Sequence, residues 1–457
     1  MQKMKNGKKV LSVCLSLAMA AGMLSTSAFA SWNVYGGSNN HNAVVTEAPT
    51  TPDKSGLDSY IQLHCTGSGW DGVDNVPVLQ TVNGTTYAYV LYDGYGASGA
   101  LVAKIRCAEN GGSSIVWTTD PYGTEGTSLN AKSGFQLSTP YLDDKGTPDD
   151  ASDDTLYVGT ISQYDDYEGG EWLTGTGSKV MALTGLDQNK PTVTNVLTGI
   201  NGQINTPITT DGTYLYFGTW PGGSNAGTYY QVKLSDYSVK TFTPDSYGFY
   251  WAGAVSDGTN VYFGSDNGLL YWRSIADFDT TGGVLDLTDV ASDAGNVRST
   301  VMLDDGYLYF TTQGGYLWCC SYDDGLTVEW HKKLGATSTS TPTKVGDRIY
   351  VGYYSGFNAG GVQCVSADGS SVKTVVEGDG FPVQSSIVVM GDGTGTDYLY
   401  FNTNAQKGAG YCYSFDGTTG SKVWGTTGDT YALGGMAIDN GYAVFGNDYN
   451  HLYVVHD

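Results

Sequence analysis

Apolar and polar positions along this chain return in a four-residue phrase: an apolar residue, an aromatic, a second apolar residue, then a small one. It reads Leu156-Tyr157-Val158-Gly159, Leu215-Tyr216-Phe217-Gly218, Val261-Tyr262-Phe263-Gly264 and Leu308-Tyr309-Phe310-Thr311. It continues as Ile349-Tyr350-Val351-Gly352 and Leu399-Tyr400-Phe401-Asn402, with weaker copies at Ala443-Val444-Phe445-Gly446 and Ala88-Tyr89-Val90-Leu91. From Tyr157 onward the second positions lie 41 to 59 residues apart. A period of that length is one small supersecondary unit repeated, each copy burying its faces on its neighbours.

The unit beginning near Ser385 shows the pattern most plainly. Ser385–Val389 reads as an inner strand, Tyr398–Phe401 as a second and Tyr411–Asp416 as a third, and a Gly417–Gly420 turn leads to an outer strand ending at Trp424. Runs of apolar and aromatic residues bounded by Gly, Asp and Thr turns are the strand signal. Trp117 and Trp330 recur at the position of Trp424, where a large side chain fills the space that widens away from an axis. Thr139-Pro140, Thr206-Pro207, Thr341-Pro342 and Val76-Pro77 open inner strands, where proline's missing donor costs nothing. Inner strands are expected near residues 76, 139, 206, 252, 299, 341, 385 and 434, making an all-β, eight-bladed β-propeller of four-stranded antiparallel blades over residues 31–457. The last blade lacks an outer strand, and residues 31–36 are expected to supply it, with Trp32 in the tryptophan position. Residues 39–59 would then cross to the first blade.

The segment Ser414-Phe415-Asp416-Gly417-Thr418-Thr419-Gly420-Ser421-Lys422-Val423-Trp424 resembles the "A-L-D-x-x-T-G-x-x-x-W" repeat of the pyrroloquinoline-quinone-type β-propellers. That superfamily holds quinoprotein alcohol dehydrogenases, an outer-membrane assembly lipoprotein of Gram-negative bacteria and many secreted propellers. The motif describes turns and packing, so the resemblance implies the fold and leaves the activity open.

Lys3, Lys5, Lys8 and Lys9, the apolar run from Val10 to Leu24 and the small residues Ala28-Phe29-Ala30 read as a signal peptide over residues 1–30. The mature chain is therefore expected to be secreted or held at the cell surface, and monomeric. The full chain carries a formal charge of −24, and losing four lysines with no acids takes it to about −28. Such a surface repels phosphate backbones and anionic lipid, which excludes nucleic acid as a partner. No later stretch reaches the ~18 apolar residues of a membrane span, so no membrane insertion is expected.

Candidate chemistry is sparse. The adjacent Cys319-Cys320 matches the quinoprotein habit of pairing neighbouring cysteines beside the cofactor. Inside the strand Tyr316–Tyr322, however, adjacent side chains point to opposite faces, and a disulfide needs its Cβ atoms close. Acidic loops at Asp143–Asp154, Asp286–Asp293 and Asp392–Asp397 offer oxygen ligands that calcium could use, without an EF-hand pattern. The resemblance to the dehydrogenases also implies calcium ligands, a catalytic aspartate and an electron acceptor, none of which can be placed residue by residue here. No resident cofactor is expected; calcium stays open, and pyrroloquinoline quinone is disfavoured.

The loops between second and third strands carry the clearest functional lead. Residues 161–177 hold Tyr164, Tyr167 and Trp172; the next blade offers Trp220, the sixth Tyr353, Tyr354, Phe357 and Asn358, and the seventh Asn402, Asn404 and Gln406. The equivalent loops at 265–268, 312–315 and 447–450 are short. Aromatics beside amides and carboxylates suit stacking on sugar rings or docking of a protein segment. The expected function is a secreted, non-catalytic binding or scaffold module for an extracellular glycan or protein. A quinoprotein-type oxidoreductase or other propeller enzyme, and an envelope assembly factor, are the alternatives.

Overall fold

The computed structural model describes residues 32–63, 72–93, 99–120, 126–131, 138–161, 164–168, 171–174, 177–323 and 325–457, with 164–168 and 171–174 described by their backbone alone. The expected signal peptide lies outside them.

Each copy of the phrase is the second strand of a four-stranded antiparallel blade, and eight blades form a ring. The inner strands begin at Val78, Tyr141, Thr209, Val255, Met302, Thr343, Val388 and Ala437. The phrase works because adjacent residues of a strand face opposite inter-blade spaces. Leu215 and Phe217 pack with Tyr157, Val180 and Ala182 of blade 2, whereas Tyr216 packs with Val261, Phe263 and Tyr271 of blade 4. The tyrosine rings are buried, yet their hydroxyls reach the turn between first and second strands. Tyr216 donates to Asp211 (2.8 Å) and Tyr262 to Asp257 (2.7 Å) in that turn of their own blades, whereas Tyr350 donates to Asp397 (2.6 Å) at the start of the second strand of blade 7. The small fourth residue is required by the connector that leads to the next blade. A Cβ at Gly264 would stand 2.1 Å from Val297 Cγ1, and one at Gly218 would stand 2.6 Å from Phe249 Cβ.

Trp117 and Trp424 are buried as the widening wedge demands; the Trp117 indole donates to the Leu186 carbonyl (3.4 Å) and that of Trp424 to the Pro49 carbonyl (2.8 Å). Cys319 packs with Ile349 and Val351 on one face of its blade and Cys320 with Phe310 and Trp318 on the other. Both are free thiols, and burial pushes Cys319 up to about 12.

One part of the expected architecture is corrected. An amino-terminal strand does close the ring, but it is Ile61–Gln62, which pairs antiparallel with Leu452 and His451 as the outer strand of blade 8; the described residues 32–36 do not take that place. The described part of the amino-terminal segment runs along the axis instead. The Trp32 carbonyl accepts from Leu79 N–H (2.8 Å), Asn33 from Leu142 (2.8 Å), Asn40 from Leu303 (2.9 Å) and Ala43 from Val389 (2.9 Å). Those donors belong to the inner strands of blades 1, 2, 5 and 7, so the segment must lie where all inner edges converge. The Asn42 amide bonds both backbone groups of Lys344 in blade 6, and the His41 ring lies 2.8 Å from the Ala254 carbonyl at blade 4. The physical reason is the inner edge: each inner strand presents unpaired N–H groups to the bore, and a chain threaded through it satisfies them. Val44–Val45 finally pairs parallel with Val389 and Met390 of blade 7.

Candidate functional site

In each blade the loop between second and third strands shares one end of the ring with the connector to the next blade. The first and third turns lie at the other end. The expected recognition residues therefore fall on one end, but their environments differ. Tyr164, Tyr167 and Trp172 lie on a two-stranded hairpin, Tyr164–Glu168 with Glu171–Thr174, inserted into blade 2; Trp172 is opposite Tyr167 and Thr174 opposite Tyr164. Trp220 is half-buried, its Nε1 donating to Asp266 Oδ2 (3.0 Å) and its ring edge-on to Tyr250. Phe357 and Asn358 are exposed, Phe357 edge-on to Tyr431 at 5.5 Å. Tyr354 is half-buried, with its N–H on the Thr337 carbonyl.

Tyr353 departs from the expectation of an exposed loop residue. The second and third strands of blade 6 run on to Ser355 and from Ala359, so Tyr353 is a strand residue buried against Gly335, with its hydroxyl 3.3 Å from Glu377. Asn402 is likewise buried, its amide donating to the Gly434 carbonyl, and Asn404 donates to Gln384 Oε1 (3.0 Å). These amides fix the connectors that surround the axis.

Those connectors build a feature that the loops did not reveal. At the axial mouth of this end, a small cup open to solvent is lined by Asn75, Thr139, Asn205, Trp251, Arg298 and Gln384 among others, with Tyr35 of the axial segment also lining it. Each residue comes from a different connector. Side-chain hydroxyls tie the connectors into a ring: Thr139 accepts from Val76 N–H (3.1 Å), Ser138 donates to the Thr206 carbonyl (2.6 Å) and Thr339 to the Gln384 carbonyl (3.0 Å). The Tyr35 hydroxyl is held 3.0 Å from Thr341 Oγ1.

Electrostatics at the mouth centre on one ion pair. Arg298 grips Asp266 bidentately, Nε to Oδ1 at 2.7 Å and Nη2 to Oδ2 at 2.5 Å, and lies over the Tyr250 ring at 4.3 Å. Burial alone would lower the Arg298 pKa, but the Asp266 carboxylate outweighs it and holds the guanidinium charged. Trp251 lines the cup with φ at +58°, and Tyr247 borders an adjoining cleft with φ at +63°. Bulky residues in the left-handed region are true outliers that only well-determined surroundings retain. The sequence signal for the cup was faint: of the residues before the Thr-Pro steps, Ser138, Asn205 and Ser340, only Asn205 lines it.

The acidic loops are occupied by local bonds. Asp143 pairs with Lys145, Asp153 accepts from Thr147, and Asp392 accepts from Thr394 and Gly395. Among the described residues, no group of three or more His, Cys, Asp or Glu side chains is placed to hold a metal ion. None of their helices is long and apolar enough to cross a membrane.

No protein-family model matches the chain, and no curated protein matches it. Solved structures do. BamB from Moraxella catarrhalis aligns at 13% identity and TM-score 0.52, over 88% of this chain and 99% of its own. A europium-containing methanol dehydrogenase aligns at 12% identity and TM-score 0.57, over 91% and 89%. Sqt1 from Saccharomyces cerevisiae aligns at 11% identity and TM-score 0.53, over 89% and 100%. At such identities the likeness shows a shared fold. The chain is an eight-bladed β-propeller.

Proposed function

We propose that this chain is a secreted, non-catalytic propeller that serves as a binding or scaffold module, engaging an extracellular glycan or protein with the end that carries the axial cup. The observation that supports this most is convergence. Connectors from around the ring bring amides, hydroxyls and Trp251 to one concave mouth, where Tyr35 of the axial segment joins them, and the loop with the exposed Phe357 stands on the same end. Concave sites with a few convergent polar groups are what ligand binding uses. In this reading the chain works without a resident cofactor, in the pyrroloquinoline-quinone-type group of propellers.

A quinoprotein oxidoreductase fits the same mouth less well. Pyrroloquinoline quinone is a polyanionic tricarboxylate, and the one cation lining the cup among its described residues, Arg298, is already gripped by both Asp266 oxygens. Likeness to BamB keeps an assembly role as the second reading, since it too would act by binding protein.

The absorption spectrum of the purified mature chain, after incubation with pyrroloquinoline quinone and calcium and then desalting, separates these readings. A clean protein spectrum, followed by hits on a glycan array or in a pull-down, is expected. A retained quinone chromophore overturns the binding-module reading.

A further inference from the structure

The axial cup contains polar groups that the protein itself leaves unsatisfied. Asn205 is 2% exposed, and among the described residues neither its Oδ1 nor its Nδ2 has a hydrogen-bond partner. The Oδ1 of Asn75, whose Nδ2 is committed to the Leu91 carbonyl at 2.7 Å, is also unpartnered, as is the Ser385 hydroxyl. All three residues line the cup. A buried amide without partners forfeits its hydration and gains nothing in return, so such a group is rare unless something else completes it.

The inventory also specifies the chemistry of what completes it. Two amide oxygens need donors, one amide NH₂ needs acceptors, and the serine hydroxyl takes either. A ligand made of hydroxyls satisfies all of these, because each hydroxyl both donates and accepts. Charge points the same way. Arg298 has spent its bidentate fork on Asp266, Asp74 stands at the lining, and the chain as a whole is strongly acidic, which disfavours an anion. A cation would meet the Arg298 guanidinium. Trp251, fixed in its left-handed conformation, and Tyr35 add aromatic surface on which the apolar face of a sugar ring can lie.

We propose that the axial cup is a saccharide subsite taking one neutral, uncharged pyranose unit, with Asn205 as its anchor and Asn75 and Ser385 as supporting contacts. The proposal rests on the binding-module reading and narrows its ligand.

The test is saturation-transfer NMR on the mature chain with methyl glucoside, methyl galactoside, methyl mannoside and N-acetylglucosamine, and with glucuronate and inorganic phosphate as anionic probes. At least one neutral sugar should bind saturably and the anions should not. Asn205→Leu keeps the side-chain shape without polar atoms. It should weaken that sugar by about ten-fold or more, while the melting temperature of the free protein stays level or rises. Should Asn205→Leu fail to fold, Ser385→Ala provides the same readout, with binding a few-fold weaker at unchanged stability. Preference for glucuronate or phosphate overturns the neutral-ligand assignment. Equal sugar binding by both variants and the parent removes the cup as the site but leaves the binding module standing. If no probe binds while a glycan array or pull-down succeeds, the cup proposal alone falls; blank results in all of them remove the broader reading too.

Discussion

The two ends of this propeller are made by the same eightfold repeat, yet they treat polar groups in opposite ways. At the end bearing the first and third turns, carboxylates are absorbed into the fold. Asp236 caps Ser238, Asp368 accepts from Ser366 and Ser370, and Asp416 accepts from the N–H groups of Thr418 and Thr419. Those bonds hold each carboxyl below its ordinary range, Asp368 at about 2. At the axial end, amides and a hydroxyl are buried without partners and aromatics are held in left-handed backbone. Turn chemistry explains most of the first end, where, among the described residues, the buried Asp154 Oδ1 is left without a partner and Tyr237 also holds a left-handed backbone, with φ at +56°. The second has unmet polar capacity, which is the mark of a surface shaped for something other than its own folding.

The sharpest way to break this contrast is to remove a carboxylate that the turn end depends on. Asp397 is fully buried and accepts from Arg348 Nη1 (2.8 Å), Tyr350 Oη (2.6 Å) and Gly393 N–H (3.0 Å). Asp397→Ala leaves a guanidinium and a phenol uncompensated, and should cost about 3–5 kcal/mol in urea denaturation. A loss below about 1 kcal/mol would mean that the turn end is not closed on itself. Asp257→Ala comes next. It removes caps on Thr259 and Asn260 and the Tyr262 partner, for an expected loss of about 1–2 kcal/mol.

Two carboxylates at the turn end are held against their charge, and they sharpen the comparison through pH. Burial pushes Asp154 up to about 6, its bond from Gln80 pulling the other way, and burial does the same to Asp439 despite the Thr81 hydroxyl. Folded pKa values above the unfolded ones mean that their stabilising contribution is full below about pH 4 and lost as pH rises through about 6. Lowering the pH from about 7 to about 5 should therefore add on the order of 1 kcal/mol per site. His41 acts oppositely in that window, because burial lowers its pKa. A protein carrying Asp154→Asn and Asp439→Asn keeps His41, so the difference between the two melting profiles isolates the carboxylates. An unchanged profile in that protein would refute the assignment.

How much of this was legible in the sequence follows from which contacts are periodic. The blades were, because the alternation of Leu215, Tyr216 and Phe217 encodes two neighbouring interfaces at once. Inner strands were expected two to three residues early, since the Thr-Pro steps belong to the connectors and only the residues after them enter the ladder. The divergence of Cys319 and Cys320 also followed from strand geometry. The course of Trp32–Val45 did not, because its contacts to the inner strands are made largely through backbone carbonyls, which leave no side-chain pattern. Tyr353 misled for a local reason: extended strands in blade 6 carry it out of the loop. The axial cup draws its residues from connectors tens of residues apart, so their convergence becomes visible only once the ring has closed.

The smallest expected effects lie on the rim, and they test whether exposure there is spare for binding. Trp220 and Phe357 both stand on the axial end. Trp220 is tied to Asp266 through its indole N–H and rests against Tyr250, so Trp220→Ala leaves a buried carboxylate short of one donor and should cost about 1–2 kcal/mol. Phe357 is 46% exposed. Its contact with Tyr431 is made at the surface, so its replacement by alanine should change stability by no more than about 0.5 kcal/mol. If Phe357→Ala nevertheless weakens capture of a glycan or protein partner, the aromatic serves recognition and not the fold. If capture is unchanged while Asn205→Leu abolishes it, recognition is confined to the axial mouth and the blade 6 loop is decoration. Should Phe357→Ala destabilise the chain as much as Trp220→Ala does, the edge contact with Tyr431 supports the ring, and the rim would be as closed on itself as the opposite end.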